Sequence, residues 1–250
     1  MELLKVENLE KSFLSNKRAK LVHAVNQVSF TVNSGEFTAL VGESGSGKST
    51  VARIISGLIP ADSGTVFLKE DKVTYPYPRK IYKTVQMVFQ MPSDSFDPRR
   101  RIGNVLEMVL KRFGYPGDRK VRAKELLAMV GLSSEYLDKF PHQMSGGECQ
   151  RAALARALAA EPKLLICDEI TSALDVSVQA QIIDLLMALR EKTHISMLLI
   201  SHDLALVQGI CDRILVMKNG VIVEEGDAKE VLESPTAEYT KQLIQSVITI

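Results

Sequence analysis

The sequence predicts an α/β fold with a largely parallel sheet, and three observations carry that expectation. Short apolar runs alternate with helix-period segments along the chain. The compact run Phe37-Thr38-Ala39-Leu40-Val41 leads straight into a glycine-rich turn and then a helical pattern. A second apolar run, Leu164-Leu165-Ile166-Cys167, ends in two adjacent carboxylates. In chain order, residues 3–13, 25–32 and 65–68 have the character of strands and form a β-rich N-terminal piece. Residues 48–58 carry helical spacing, and 84–89 reads as another strand. From about 93 to 160 the pattern turns helical, at 102–113, 119–130 and 146–160. Residues 164–167 and 197–201 read as buried strands. Between them Val178, Ile182, Leu185, Leu186 and Leu189 form an amphipathic stripe. Residues 213–225 make a hairpin, with the turn at Lys218-Asn219-Gly220 because Asn-Gly accepts the positive φ of a tight connection. Helices near 228–232 and 239–247 finish the pattern.

Composition narrows the class. Of 250 residues, 46% are hydrophobic and 24% charged, which excludes a disordered, collagenous or disulfide-framework protein. Thirty-one Lys and Arg against 30 Asp and Glu leave a net charge of +1, with no basic footprint for nucleic acid. Cys149, Cys167 and Cys211 are far apart and form no C-x-x-C pair, so a reducing compartment is the expectation and a zinc site is not. The first residues carry an acid and no long apolar run, unlike a signal peptide. No run of about 18 apolar residues occurs, so any work at a membrane is expected to be peripheral.

Gly42-Glu43-Ser44-Gly45-Ser46-Gly47-Lys48-Ser49 satisfies G-x-x-x-x-G-K-[ST] between a strand and a helix. Its glycines let backbone N–H groups converge on phosphate oxygens, and the helix start turns its positive end to the same anion. Lys48 is expected to reach the terminal phosphates of a nucleotide and Ser49 to offer its hydroxyl to Mg²⁺, in a binding stretch running from Gly42 through Thr50. The acidic pair Asp168-Glu169 ends a strand, where α/β folds bind ligands. Asp168 is expected to hold Mg²⁺, mostly through water, and Glu169 to polarise the attacking water. Cys167 reads as a small buried hydrophobe.

Between these motifs, Ser145-Gly146-Gly147-Glu148-Cys149-Gln150-Arg151 opens a helix. Here the chain resembles the ATP-binding cassette (ABC) transporter ATPases, whose signature is L-S-G-G-Q. Met144 replaces the leading Leu and Glu148 the closing Gln. The resemblance covers nearly the whole chain. Phe13 stands where the family has an aromatic that stacks on adenine, and Gln90 matches the Q-loop glutamine. Ser172-Ala173-Leu174-Asp175 matches the D-loop, Ser201-His202-Asp203 carries the switch histidine, and Ile170 stands where Pro is usual. His23, His142 and His194 read as ordinary core or surface residues. Arg99-Arg100-Arg101 reads as a solvated loop, with a membrane partner as the alternative.

The resemblance implies a P-loop NTPase fold: a RecA-like parallel-sheet core, an N-terminal antiparallel β subdomain and an α-helical subdomain inserted at 92–160, all in one ATPase domain over 1–250. It implies ATP and Mg²⁺ as cofactors. Glu169, His202 and Gln90 would serve catalysis, and Ser49, Gln90 and Asp168 would hold the metal. Phe13, the stretch from Gly42 to Thr50, Ser145, Gly146, Gly147, Glu148 and Asp175 would contact nucleotide. In this family the phosphate loop of one cassette closes against the signature helix of a second, so Ser145 and Gly147 would meet a γ-phosphate held by the partner. Gln90 would link metal occupancy to the helical insert, which would receive a short helix of the permease.

The run at 85–90, Phe96-Asp97-Pro98-Arg99, the signature and Tyr239-Thr240-Lys241-Gln242-Leu243 are similar to the oligopeptide/dipeptide/nickel importer subfamily. Many peptide-importing members carry a cysteine-rich C-terminal tail. No cysteine follows Cys211 here, a departure that leans toward short members found with nickel or metal-chelate uptake. The implied partners are two integral-membrane permease subunits, a second ABC ATPase subunit (a heterodimer over a homodimer) and an extracytoplasmic substrate-binding protein. The implied location is peripheral, at the cytoplasmic face of the cell membrane. The competing reading is a soluble ABC ATPase acting on DNA or ribosomes. Such proteins usually carry two cassettes, a long coiled coil or zinc modules, none of which the sequence has.

Overall fold

A computed structural model describes residues 1–15, 20–172 and 174–248. The chain divides into two compact units, Met1–Tyr82 with Ser196–Ile250, and Lys83–Ile195. The first unit opens with two long antiparallel strands, β1 (Glu2–Ser15) and β2 (Lys20–Asn33), whose register is broken by bulges. The fully buried β3 (Phe37–Val41) feeds α1 (Lys48–Ile55). β4 (Ser63–Leu68) and β5 (Asp71–Val73) complete an antiparallel sheet in the order β2-β1-β4-β5. Leu4 opposes Leu68 and Val6 opposes Val66, all four buried, so alternation along each strand gives this sheet one apolar face. The short helix α2 (Arg79–Thr84) carries the chain onward.

In the second unit β6 (Val85–Val88) and β7 (Leu164–Asp168) pair in parallel. Residues 92–160 contribute α3 (Ile102–Arg112), α4 (Arg119–Met129) and α5 (Gly146–Leu158), with 3₁₀ turns at Pro92–Ser95, Ser134–Asp138 and Pro141–Gln143. Here β7 ends a parallel pair, and α6 (Val176–Thr193) follows it. Ile102, Leu106 and Leu110 recur every fourth residue along α3 and are all buried, the stripe that makes the segment a helix. Asp118, Ser145 and Asp175 cap α4, α5 and α6 with their side chains, each replacing water on orphan N–H groups.

The chain then returns to the first unit with β8 (Ser196–Ser201), α7 (Leu204–Val207), β9 (Arg213–Lys218), β10 (Val221–Asp227), α8 (Ala228–Glu233) and α9 (Glu238–Ile248). Its second set of strands runs β10-β9-β3-β8, with β3 parallel to both neighbours and β10 antiparallel to β9. Every residue of β3 and β8 is buried, the continuous apolar run typical of parallel strands. The hairpin turn holds Asn219 at φ +48° and Gly220 at φ +85°, as an Asn-Gly connection requires.

The strands and long helices read from the sequence are all present, with ends moved by a few residues. β2 begins earlier than residue 25: Leu21 and Val22 pair with Leu14 and Phe13 of β1 although they stay exposed. β5, α2, α7 and the 3₁₀ turns are too short to show periodicity. No helix among the described residues is long and apolar enough to cross a membrane.

Candidate active site

In the first unit β3 ends at Val41, which pairs with Ser201 of β8 and Val216 of β9. That register releases the phosphate loop and His202 from one edge of the sheet, the carboxyl edge where α/β folds bind ligands. Two positions in the loop demand glycine. Gly42 has φ +149°, and a Cβ there would lie 2.1 Å from the Met217 carbonyl oxygen. Gly47 has φ +110°, and its Cβ would lie 2.1 Å from the Ala24 carbonyl oxygen. The loop is thus drawn tight against β9 and β2, and the Gly220 N–H donates to the Ser46 carbonyl at 2.9 Å.

α1 then starts with no side-chain cap and no acid in its first turn, which leaves its positive end to a ligand. Ser46 is buried, while Ser49 and Thr50 lie half-buried in or beside that first turn. Ser44 and Gly45 form an exposed tip. Lys48 is only 4% exposed, and its ammonium donates to the carbonyls of Gly42 at 2.7 Å and Glu43 at 2.9 Å. A buried ammonium at this place favours the approach of an anion.

His202 is exposed directly after β8. The Ser201 hydroxyl accepts from the Asp203 N–H at 2.9 Å, and Asp203 in turn caps α7. The backbone on both sides of the imidazole is therefore fixed. Phe13 is 44% exposed and pairs with Val22, two residues from Ala24, whose carbonyl crowds the loop. That spacing is about 7 Å along a strand.

In the second unit the pairing of Val88 with Cys167 releases Gln90 and the Asp168-Glu169 pair at a common edge. Asp168 is buried, and Glu169 is half-buried with φ +48°. The left-handed region costs a non-glycine residue about 1–2 kcal/mol, and such outliers gather at functional positions. Gln90 donates through Nε2 to the Ser172 hydroxyl at 3.0 Å, and that hydroxyl donates to the Glu169 carbonyl at 2.9 Å. Burial, with the Asp168 charge beside it, pushes the Cys167 thiol up to about 12, so it behaves as a hydrophobe.

Ser145 caps α5 in a reciprocal box. Its N–H donates to Glu148 Oε2 at 2.8 Å, and the Glu148 N–H donates to Ser145 Oγ at 3.3 Å. The Tyr136 hydroxyl donates to the other Glu148 oxygen, and the Lys139 ammonium lies 3.8 Å from the Tyr136 ring centroid. The Tyr136 hydrogen bond, then the Ser145 N–H, hold the Glu148 carboxyl below the usual glutamate range. A Cβ on Gly146 would meet Leu174 at 3.4 Å, and one on Gly147 would meet the Val178 side chain at 2.6 Å. Asp175 Oδ1 accepts from the Ser177 hydroxyl at 2.7 Å and the Val178 N–H at 3.0 Å, so this carboxylate is engaged in capping α6. Ala173 of the D-loop match lies outside the described residues. Arg100 and Arg101 pair on the surface with Asp97 and Asp138.

Residues 25–172 match the family model described as ABC transporter. The chain belongs to the ABC transporter family. It is 43% identical over 235 residues to the oligopeptide transport ATP-binding protein OppF of Salmonella typhimurium, across 91% of this chain and 70% of that protein. It is 42% identical over 255 residues to the glutathione import ATP-binding protein GsiA of Escherichia coli K12, across 98% of this chain but 41% of that protein. Among solved structures it is similar to the ATP-binding cassette MJ0796 in a dimeric post-hydrolysis state bound to ADP and Pi, at 30% identity and a TM-score of 0.79, covering 90% of this chain and 98% of that one. The fold is the ABC cassette form of the P-loop NTPase, and the activity is that of an ABC ATPase.

Of the three departures from the ABC pattern, Met144 is half-buried, and the places of Glu148 and Ile170 can be followed in detail. Glu148 gives one carboxylate oxygen to the Ser145 N–H at its own helix start and the other to the Tyr136 hydroxyl, and Ile170 is simply buried apolar. Sequence reasoning missed the groups that shape the loop and the signature. Ala24 and Met217 wall the phosphate loop, Gly220 anchors it, and Tyr136 braces Glu148. Of these only Gly220 carried a signal, as part of a hairpin turn.

Proposed function

We propose that this ABC ATPase is the energy-converting subunit of an importer, a single ATPase domain over 1–250 whose helical insert at 92–160 couples hydrolysis to permease motion. The observation that carries the hydrolytic reading is the buried Lys48 on a loop whose Gly42 and Gly47 leave no room for side chains. The loop from Gly42 to Thr50 binds phosphate oxygens through backbone N–H groups, and Lys48 offers its ammonium to the β- and γ-phosphates. Phe13 stacks on the adenine.

Ser49, Asp168 and Gln90 would hold Mg²⁺. Hydroxyl, carboxylate and amide oxygens are the hard donors that ion takes, and so few protein ligands suit an ion that keeps waters and phosphate oxygens. Bound Mg²⁺ supplies neutralisation of charge on the phosphate oxygens. Glu169 accepts a hydrogen bond from the attacking water and orients it. His202 donates toward the oxygens on which charge develops, so catalysis is positioning and electrostatics. Gln90, bonded to Ser172, ties the metal side to the backbone of Glu169. Ser145, Gly146 and Gly147, with Glu148 and Asp175 shaping that face, meet the nucleotide held by a second cassette.

The partners in this reading are two integral-membrane permeases, a second and different ABC ATPase subunit, and an extracytoplasmic substrate-binding protein. Nucleic acid is not among them. The chain sits peripherally at the cytoplasmic face of the cell membrane. Likeness to proteins named for oligopeptide and glutathione import supports peptides as cargo over nickel or metal chelates.

The test is the assembled transporter in vesicles, assayed for ATP-driven uptake of a labelled peptide series and of a nickel chelate. Peptide uptake that Glu169→Gln slows by about a hundredfold or more, with ATP binding retained, is the expected result. Uptake of the chelate alone would reverse the cargo assignment, and near-normal turnover of Glu169→Gln would remove Glu169 from its role.

A further inference from the structure

We propose that Tyr239, on the C-terminal helix, is a positioning residue of the phosphate loop and sets ATP affinity from outside the nucleotide motifs. The inference rests on the reading of that loop as the ATP-phosphate cradle.

The loop is braced unequally. Its two ends, at Gly42 and Gly47, press on backbone carbonyls of β9 and β2, and Ser46 is bonded to Gly220. The tip between them is different: Glu43, Ser44 and Gly45 are exposed, and a Cβ on Gly45 would meet nothing within 4 Å. One side chain reaches this limb from the C-terminal helix. The Glu43 N–H donates to the Tyr239 hydroxyl at 3.1 Å.

Glu43 is also the residue on which the arch turns. Its carbonyl accepts from the Lys48 ammonium at 2.9 Å and from the Ser46 N–H at 3.2 Å. The Glu43 N–H and the Gly42 carbonyl, which also accepts from Lys48, share one planar peptide, so holding that N–H fixes a peptide that orients Lys48.

Tyr239 is itself rigidly mounted. It is 7% exposed, and the Lys218 ammonium lies 4.3 Å from its ring centroid. The start of α9 is clamped to β10 by Glu224, which accepts from the Thr236 N–H at 2.7 Å, the Thr236 hydroxyl at 2.8 Å and the Ala237 N–H at 3.1 Å. A loop held in its binding shape before the ligand arrives loses less entropy on binding, so the brace acts on affinity rather than on the chemical step.

Tyr239→Phe keeps the ring, its burial and the cation above it, and removes only the acceptor. In the full chain, titrated with a fluorescent ATP analogue, the Kd is expected to rise roughly two- to tenfold, the range for one lost hydrogen bond. In the assembled transporter KM should rise likewise while kcat stays within about twofold. An unchanged Kd with an unchanged melting temperature overturns the proposal.

Should Tyr239→Phe melt too low to assay, Glu224→Ala loosens the helix start without touching the loop. A raised Kd below its melting point supports the brace, and an unchanged one overturns it. Lys48→Ala separates the two levels. Normal ATP binding by that variant sinks both the cradle reading and the brace. Loss of binding there with an unaffected Tyr239→Phe sinks the brace alone.

Discussion

Two glycine-rich segments in this protein open a helix, and they do so in opposite ways. At α1 the preceding residue is Gly47 in a left-handed conformation, no side chain caps the helix, and the first turn holds no acid. At α5 Ser145 caps the helix and Glu148 closes the box from the first turn. The glycines differ too. Gly42 and Gly47 of the phosphate loop are crowded by backbone carbonyls, whereas Gly147 of the signature is crowded by the Val178 side chain. One helix start leaves its positive end to a ligand and has a buried lysine beside it. The other has two of its N–H groups answered from within, by the Glu148 carboxylate and Ser145 Oγ, and carries that carboxylate's charge, so it is the weaker anion site of the two. Equal motif content thus does not mean equal readiness to bind phosphate, because the macrodipole and the orphan N–H groups can be answered from within.

The largest effect is expected at the phosphate loop. Gly47→Ala puts a methyl against the Ala24 carbonyl at a φ that L-residues avoid, and should abolish binding of an ATP analogue and lower the melting temperature. Gly45→Ala, with open space around it, should cost about 1 kcal/mol and keep binding. Equal behaviour of the two in a titration and a thermal melt would break the argument for backbone crowding.

Next in size is the signature. Ser145→Arg should leave this subunit's own ATP affinity almost unchanged and abolish turnover at the site formed with the partner cassette. Mixing the variant with wild-type partners and measuring binding and turnover separately checks this. Loss of its own binding, with the melt unchanged, would make the two helix starts act on the same nucleotide.

Gly147→Ala is a less clean probe of phosphate space, because the new methyl first meets Val178 within the same chain. It should destabilise by about 1–3 kcal/mol, as overpacking does. Adding Val178→Ala should restore the melt, and turnover that stays low in the double variant would then report the missing phosphate space.

The smallest effect is at Glu148. Glu148→Gln keeps the capping geometry and removes the charge, so the melt at neutral pH should move little. The native carboxyl titrates below its unfolded value, held there by Tyr136 first and the Ser145 N–H second. Its contribution is therefore complete above the ordinary glutamate pKa of about 4.3 and lost as pH falls through the lower folded value. The variant should lack that acid-side loss. Circular dichroism melts across pH 3 to 6, at about half-unit steps, compare the two, and parallel curves would remove Glu148 from the cap.

The sequence by itself determined the strands and long helices and the motifs they carry. The run before Gly42, the stripe Ile102-Leu106-Leu110 and the Asn219-Gly220 turn are local patterns, written in residues that are neighbours along the chain. The phosphate loop, the acidic pair and the serine that opens α5 were legible for the same reason. Only the tertiary structure decided what stands behind them. Tyr239 meets Glu43 across 196 residues of sequence, and Gly220 meets Ser46 because β9 and β3 share a register. Tyr136 reaches Glu148 from a 3₁₀ turn too short to leave a periodic trace. Local propensity and φ preference depend on adjacent residues, whereas the partner of a polar group depends on where sheet register and helix packing bring distant chain.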